Sequence, residues 1–315
     1  MTKKTGGPSH SPREQSLGHR VAKNRSLLLM LLPGLLLLTV FCYVPMYGVV
    51  LAFKDFVITK GIGGSPWAGL KYFKEAFRDE LFIQSVKNTF ILAGAKILIG
   101  TPVSIAFALL LNEIKNFRFK KLAQSISYLP YFMSWVILAG IFFSVLALNG
   151  PVNGLLELLG LKKIMFLGDS HYFRGVLVTT DVWKSFGWSA VLYMAAIAGI
   201  DQEMYEAARL DGVNRFQNMI YITLPSILPV ICINFILTLA NIMSANFDQV
   251  YNMYSPTVYK VSDIIDTYVY RIGLRGMKYS YGTAIGLFKS VVALIMVTFA
   301  NTLIRRVGGK ENALW

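Results

Sequence analysis

The sequence holds 315 residues, 55% of them apolar and 15% charged, with a formal net charge of +14. That balance excludes a water-soluble globular protein: crossing a bilayer takes roughly 20 consecutive apolar residues per helix, and this chain supplies several such runs. The basic surplus alone would suit a nucleic-acid binder, but it sits beside the apolar runs as the positive-inside rule requires, so no nucleic-acid partner is expected.

Residues 1–25 form a polar tail with Lys3, Lys4, Arg13, Arg20, Lys23 and Arg25 against Glu14. A first span is predicted over 26–53; it runs too far past Val44 and Pro45 for a signal peptide and offers no small-residue cleavage site. The loop over 54–85 follows, in which Leu70, Phe73, Phe77, Leu81 and Phe82 share a helical face suited to the outer membrane surface. A second span is predicted over 88–111, and the loop after it carries Lys115, Arg118, Lys120 and Lys121 against Glu113. Such bases place this loop and the N-terminal tail in the cytosol.

The third span is predicted over 122–148. Asn149 to Pro151 then signal a turn into a short amphipathic segment. Spans four to six follow over 175–200, 226–250 and 282–303, with a tyrosine-rich loop over 251–281 that reads as interfacial anchoring. Six spans put the C-terminal tail, with Arg305, Arg306 and Lys310, on the same side as the N terminus. The expected architecture is all-α and polytopic, with a tail over 1–25, a first helix and outer loop over 26–80, one core membrane domain over 81–306 and a tail over 307–315.

Chemistry is sparse. Cys42 and Cys232 fall inside predicted spans, His10, His19 and His171 have no metal-ligand spacing, and no Gly-x4-Gly-Lys-Ser/Thr loop is present. No metal site, no catalytic residue and no bound cofactor are expected in this chain, and any nucleotide energy must come from another subunit.

The loop over 201–225 breaks the positive-inside trend, with Asp201, Glu203, Glu206 and Asp211 against Arg209 and Arg215. Asp201 is a candidate N-cap and Glu203 an acid in the first turn, where the helix dipole favours it. Gly212 supplies the left-handed conformation that ends a helix. A second helix is expected from Asn214, with Phe216, Met219 or Ile220, and Leu224 on one face, until Pro225 turns the chain toward span five. Ala207 and Ala208 give a small-residue step where a partner could approach closely. The plain alternative is a hairpin that merely joins two spans.

Glu206-Ala207-Ala208, three residues, Gly212, nine residues, then Ile222-x-Leu224-Pro225 resembles the EAA motif of permease subunits of binding-protein-dependent ABC importers. "SVKNTF" (85–90) resembles the start of that family's core domain, and "YLPYFMSWVILAG" (128–140) the third span of its carbohydrate branch. With the "ENALW" tail, the wording is most similar to permeases for oligosaccharides and polysaccharides of the alginate or plant-cell-wall type. The resemblance implies the type I importer permease fold, a second homologous permease, two ATPase subunits that hold ATP and Mg, and an extracellular solute-binding protein that delivers the oligosaccharide. It also implies a bacterial plasma (inner) membrane location with both termini cytoplasmic. Carried over, Glu206 contacts a basic residue of the ATPase, Ala207 and Ala208 allow close approach, Gly212 makes the turn, and Asp211, Ile222, Leu224 and Pro225 complete the coupling segment.

Polar groups inside spans nominate a substrate pathway, since each is costly in lipid. The candidates are Trp135, Asp181, Lys184, Trp188, Asn241, Ser244, Asp248 and Lys289, with Asn241, Ser244 and Asp248 spaced as one helical face. If the cargo is acidic, Lys184 or Lys289 could meet a carboxylate. The competing reading is interhelical glue, with Asp181 neutralising Lys184 and Lys289 snorkelling or paired with Asp248. Two other functions compete: a membrane-embedded enzyme or scaffold, with Asp181 and Lys184 as the reactive pair, and a transporter that needs no ATP.

Overall fold

The computed structural model describes residues 25–307, so the predicted tails and "ENALW" lie outside the described residues. Among the described residues there is no strand, only an isolated antiparallel bridge between Lys54 and Trp67. The chain divides into two units, 1–50 and 51–315. In the first, α1 (Arg25–Leu38) continues as one π turn over Thr39–Tyr43. No residue of either piece is buried, as befits a leucine-rich surface solvated by lipid tails. A 3-10 stretch, Val44–Phe53, completes this predicted span.

In the second unit, after short helical turns at Ile58–Lys60 and Gly61–Gly64, α2 (Lys71–Arg78) carries part of the predicted amphipathic face. Phe77 packs edge-on against Phe82 and Phe288 at 6.0 and 5.4 Å, and Phe73 against Phe53 at 5.6 Å. The predicted continuous face is broken at Asp79, which ends α2 and caps α3 (Glu80–Glu113) by accepting from the Leu81 amide at 2.8 Å; Leu70 and Leu81 stay exposed. Burial alone would raise the Asp79 carboxyl, yet the Tyr268 hydroxyl and the amides of Leu81 and Phe82 hold it below the usual carboxylate range. At 34 residues, α3 is about 50 Å long at ~1.5 Å per residue. Span two therefore begins eight residues before the predicted position, because its first turns are polar and join no apolar run.

The predicted third span is two pieces. α4 (Phe117–Tyr128) and a 3-10 turn, Leu129–Phe132, meet α5 (Trp135–Val145) at 103°. Ser134 starts α5 by accepting from the Ile137 amide at 3.4 Å. The Asn149–Pro151 turn leads into α6 (Pro151–Leu158) as predicted. α7 (Ser170–Ala198) is an unbroken 29-residue helix packed along α3. Phe173, Leu177, Leu92 and Ala93 form the core between the two, and Phe107 meets Phe186 edge-on at 4.9 Å.

α8 (Gln202–Leu210) and α9 (Arg215–Asn218) form the loop after α7, and α9 continues through Met219–Thr223 and Leu224–Ser226. α10 (Leu228–Ala240) leaves at 61° to that segment. The predicted fifth span over 226–250 ends at Ala240; the chain turns through Ala245 and Asn246, both at positive φ, before α11 (Phe247–Met253). The tyrosine-rich loop is a packed segment. α12 (Ile265–Tyr268) runs on as a π stretch, Val269–Arg275. Tyr268 and Tyr281 are buried with both hydroxyls on Asp79, and the Ile265 amide donates to Thr89 Oγ1 at 2.9 Å. α13 (Tyr279–Val307) closes the bundle.

Among the described residues, three helical runs are long and apolar enough to cross a membrane, and five if each bent pair counts as one span. α7 has the length for a sixth but lowers its mean hydropathy with Asp181 and Lys184, which it turns inward.

At Gly187 two helices approach closely: a Cβ there would collide with the Ser127 carbonyl at the end of α4. Small residues are what permit such contacts in a membrane bundle. Gly187→Ala is expected to cost about 1–3 kcal/mol by overpacking, read as a lower thermal midpoint in detergent. Gly94→Ala, inside α3 where a Cβ meets nothing within 4 Å, should instead leave stability unchanged or raise it by up to about 1 kcal/mol, because alanine is the better helix former.

Candidate functional site: a surface loop and a cleft at two broken helices

The loop over 201–225 is built as its caps predict. Asp201 accepts from the Glu203 amide at 3.0 Å, and Gly212 has φ +75°. Asn214 and Gln217 cap α9 reciprocally at 2.9 Å each, two polar side chains satisfying orphan amides of one helix end. Glu206, Ala207, Asp211, Gly212 and Pro225 are exposed, Ile222 and Leu224 half-buried. Ala208 differs from the expectation of a two-alanine step, because it is buried and faces the loop's own packing. The Tyr205 hydroxyl bonds to Thr223 Oγ1 at 2.9 Å and ties α8 to the return segment. Of the predicted face on the second helix, Phe216 and Ile220 are exposed and Leu224 is half-buried, while the buried residue there is Thr223.

The second feature is a cleft of about 630 Å³, lined by Trp135, Asp181, Lys184 and Asp248 from the predicted pathway set, together with Tyr131 and Asn246 among others. Asp181 lies 11 residues into α7, about 17 Å along it at ~1.5 Å per residue and so near mid-span. The bend between α4 and α5 and the start of α11 meet here. Lys184 Nζ donates to the carbonyls of Pro130, Tyr131 and Met133 at 3.3, 2.7 and 2.7 Å, at the bend between α4 and α5, where the Pro130 carbonyl also accepts from the Met133 amide at 3.2 Å. Its ammonium also lies 5.4 Å from the Tyr131 ring and 5.5 Å from the Trp135 ring. Trp188 stacks on the other side of this corner, 5.0 Å from Tyr131.

Asp181 is not neutralised by Lys184. Its partner is Lys96 of α3, 3.5 Å away and nearly fully buried, and Asn246 Nδ2 donates to its Oδ1 at 2.7 Å. Lys96 also donates to the Ala245 carbonyl at 3.0 Å and to Gln249 Oε1. Gln249 in turn donates to the Leu177 carbonyl and Thr180 Oγ1 at 2.7 and 2.8 Å. The network joins α3, α7 and α11 at the second helix break.

Two further expectations are corrected. Asn241, Ser244 and Asp248 do not share a helical face, because α10 stops before Asn241 and Asp248 begins a new helix. Lys289 pairs with Asp266 at 2.5 Å, not with Asp248. Trp188, Asn241, Ser244 and Lys289 lie outside the cleft lining. Sequence reasoning missed Lys96 and Gln249. A lone lysine inside the run "ILAGAKILIG" was the available signal, since an ionisable group in a span needs a partner there.

A family model described as "Binding-protein-dependent transport system inner membrane component" matches residues 100–309. The polygalacturonan/rhamnogalacturonan transport system permease protein YteP of Bacillus subtilis is 41% identical over 290 residues, covering 92% of this chain and 90% of that protein. The lactose transport system permease protein LacF of Rhizobium radiobacter is 28% identical over 232 residues, covering 72% and 76%. A chain of a solved bacterial ABC transporter involved in the import of the acidic polysaccharide alginate superposes with a TM-score of 0.86 at 38% identity, covering 93% of this chain and 99% of that one. A chain of the alginate transporter solved with an alginate pentasaccharide-bound periplasmic protein also gives 0.86, at 37% identity, 94% and 99%.

Removing one partner of a buried ion pair leaves the other charge uncompensated. Lys96→Met is therefore expected to destabilise the folded permease by about 3–5 kcal/mol, seen as a lower thermal midpoint. Adding Asp181→Asn to it should recover part of the loss.

Proposed function

The chain belongs to the family of binding-protein-dependent transport system inner membrane components, and on that premise we propose that it is a permease subunit of an ATP-driven oligosaccharide importer in a bacterial plasma membrane. The observation that carries the coupling half of this reading is the exposed, capped helical loop over 201–225, with Glu206 and Ala207 at its surface and Gly212 in the left-handed turn. The loop faces the cytosol, as do both termini, and docks in a cleft of an ATPase subunit that holds ATP and Mg. A second, homologous permease completes the pathway, and a second ATPase binds to it. An extracellular solute-binding protein delivers the sugar.

Closure of the ATPase pair pulls the docked loops together. α7 and the segment leading into α10 leave the loop directly, so the pull reaches the mid-span cleft through them. The membrane spans then rock between inward-facing and outward-facing states. No bond is made or broken in this subunit. Its role is to hold the route and to convert one motion into another.

The cleft has the chemistry of a sugar site: Tyr131 and Trp135 rings for stacking and Asp181, Asp248 and Asn252 for hydroxyls. Its charged lining is two carboxylates against one lysine, and that lysine already donates to three carbonyls. This subunit therefore recognises the hydroxyl faces of the cargo, and carboxylates on an acidic polymer are met elsewhere in the transporter.

Two measurements on the full transporter in proteoliposomes test this. Glu206→Lys sets a like charge against the basic contact in the ATPase, which costs several kcal/mol, so uptake should fall more than about tenfold while membrane insertion is kept. Normal uptake by that variant would overturn the coupling role. Lys184→Met should lower uptake of acidic and neutral oligosaccharides by the same factor, because the lysine serves the helix break. A loss confined to acidic cargo would assign Lys184 to the substrate carboxylate instead.

A further inference from the structure

A cleft of about 500 Å³ lies between the end of α3 and the 201–225 loop, and Lys115, Arg209 and Arg215 line it together with Glu113, Tyr205 and Asn218. Three cations less one carboxylate leave it at +2. Among the described residues, none of the three cations has an ion pair or a side-chain hydrogen bond, in contrast to Lys96 and Lys289 within the bundle. Asn218 Oδ1 is the one buried side-chain polar atom without a partner among the described residues, and it belongs to the same wall. Asp201, Glu203, Glu206 and Asp211 lie outside the lining. The loop thus sorts its charges, turning its arginines into the cleft and leaving its acids outside it.

The cleft's level in the bundle points to its occupant. Its walls include Asn112 and Glu113 at the last turn of α3 and Ile197 and Ala198 at the last turn of α7, where apolar spans give way to polar loops. Large apolar side chains stand exposed nearby in sequence: Leu110, Phe117 and Leu210, the last 90% exposed. Cations grouped at the headgroup level beside open apolar surface match the two halves of an anionic lipid.

We propose that this cleft binds a phosphate-bearing anion, supplied by the headgroup of an anionic glycerophospholipid such as phosphatidylglycerol. The phosphate sits among Lys115, Arg209 and Arg215, and the acyl chains run along the exposed apolar side chains. Bound there, the lipid bridges the end of α3 to the loop and holds the loop's position.

The test follows the thermal midpoint of the purified, full transporter in neutral detergent at constant ionic strength. Phosphatidylglycerol, phosphatidylcholine and inorganic phosphate are added separately. Phosphatidylglycerol is expected to raise the midpoint saturably and phosphatidylcholine to leave it unchanged. Each cation removed should weaken the half-saturating concentration roughly fivefold, so Lys115→Gln/Arg209→Gln/Arg215→Gln should weaken it on the order of 100-fold. Lys120→Gln/Lys121→Gln, near the start of α4 and outside the lining, should behave as wild type. If the triple variant does not fold, single Arg209→Gln and Arg215→Gln variants give the same graded reading. Inorganic phosphate reproducing the full shift would keep the anion site and make its occupant a free phosphate. Equal effects of both lipids, an unchanged response in the cleft variants, or no saturable response in the wild type would overturn the proposal. Lipid insensitivity combined with loss of the ATPase from the cleft variants would also overturn it, by giving the cations to a protein interface.

Discussion

A helix that breaks inside a bilayer strips carbonyls of their intrahelical partners, and no water is at hand to replace them. Each such group costs several kcal/mol if left alone. Two of the predicted spans break here, and at each break a lysine from an unbroken neighbour donates to backbone carbonyls of the break. Lys184 of α7 serves Pro130, Tyr131 and Met133, and Lys96 of α3 serves Ala245. The positive φ of Ala245 and Asn246 is kept in place by that lysine together with the Asn246–Asp181 bond. The rest of the bundle follows from the reach of a lysine. α3 and α7 must lie side by side so that Lys96 and Asp181 can meet, and Gly187 brings α7 against the end of α4 one turn from Lys184.

This arrangement explains which parts of the molecule the sequence made legible. The loop caps read correctly because capping is local chemistry: Asp201, Gly212 and Asn214 act on amides within three residues or on their own backbone. The helical architecture followed from apolar run lengths, and the EAA spacing named the family. The breaks in spans three and five were hidden because an apolar average over 20 residues does not register a turn in its middle. Asn241, Ser244 and Asp248 were placed on one face only by assuming a helix that stops at Ala240. Pairing across the bundle was no more visible. Lys96 finds Asp181 across 85 positions and Lys289 finds Asp266 across 23, and neither spacing is a helical one.

The loop also shows how adjacent identical residues divide their work. Ala207 and Ala208 read as one step in the sequence, but α8 turns the first outward and the second into its own packing. In the coupling role proposed for this loop, a larger residue at the first position would obstruct a partner's approach, whereas at the second it would disturb the fit of α8.

α7 has one more consequence. It runs unbroken from the lysine and aspartate of the cleft to Ala198, 17 residues beyond Asp181 and three short of the first cap of the loop at Asp201, or about 26 Å at ~1.5 Å per residue. A helix of that length, packed along α3, behaves as a stiff crank. A tilt of its lower end by a few degrees displaces the Asp181 and Lys184 side chains by an ångström or two relative to the carbonyls they hold, which is the distance over which such bonds are made or lost. In the coupling proposed for this subunit, the breaks in the neighbouring spans would be the bearings on which such a crank turns.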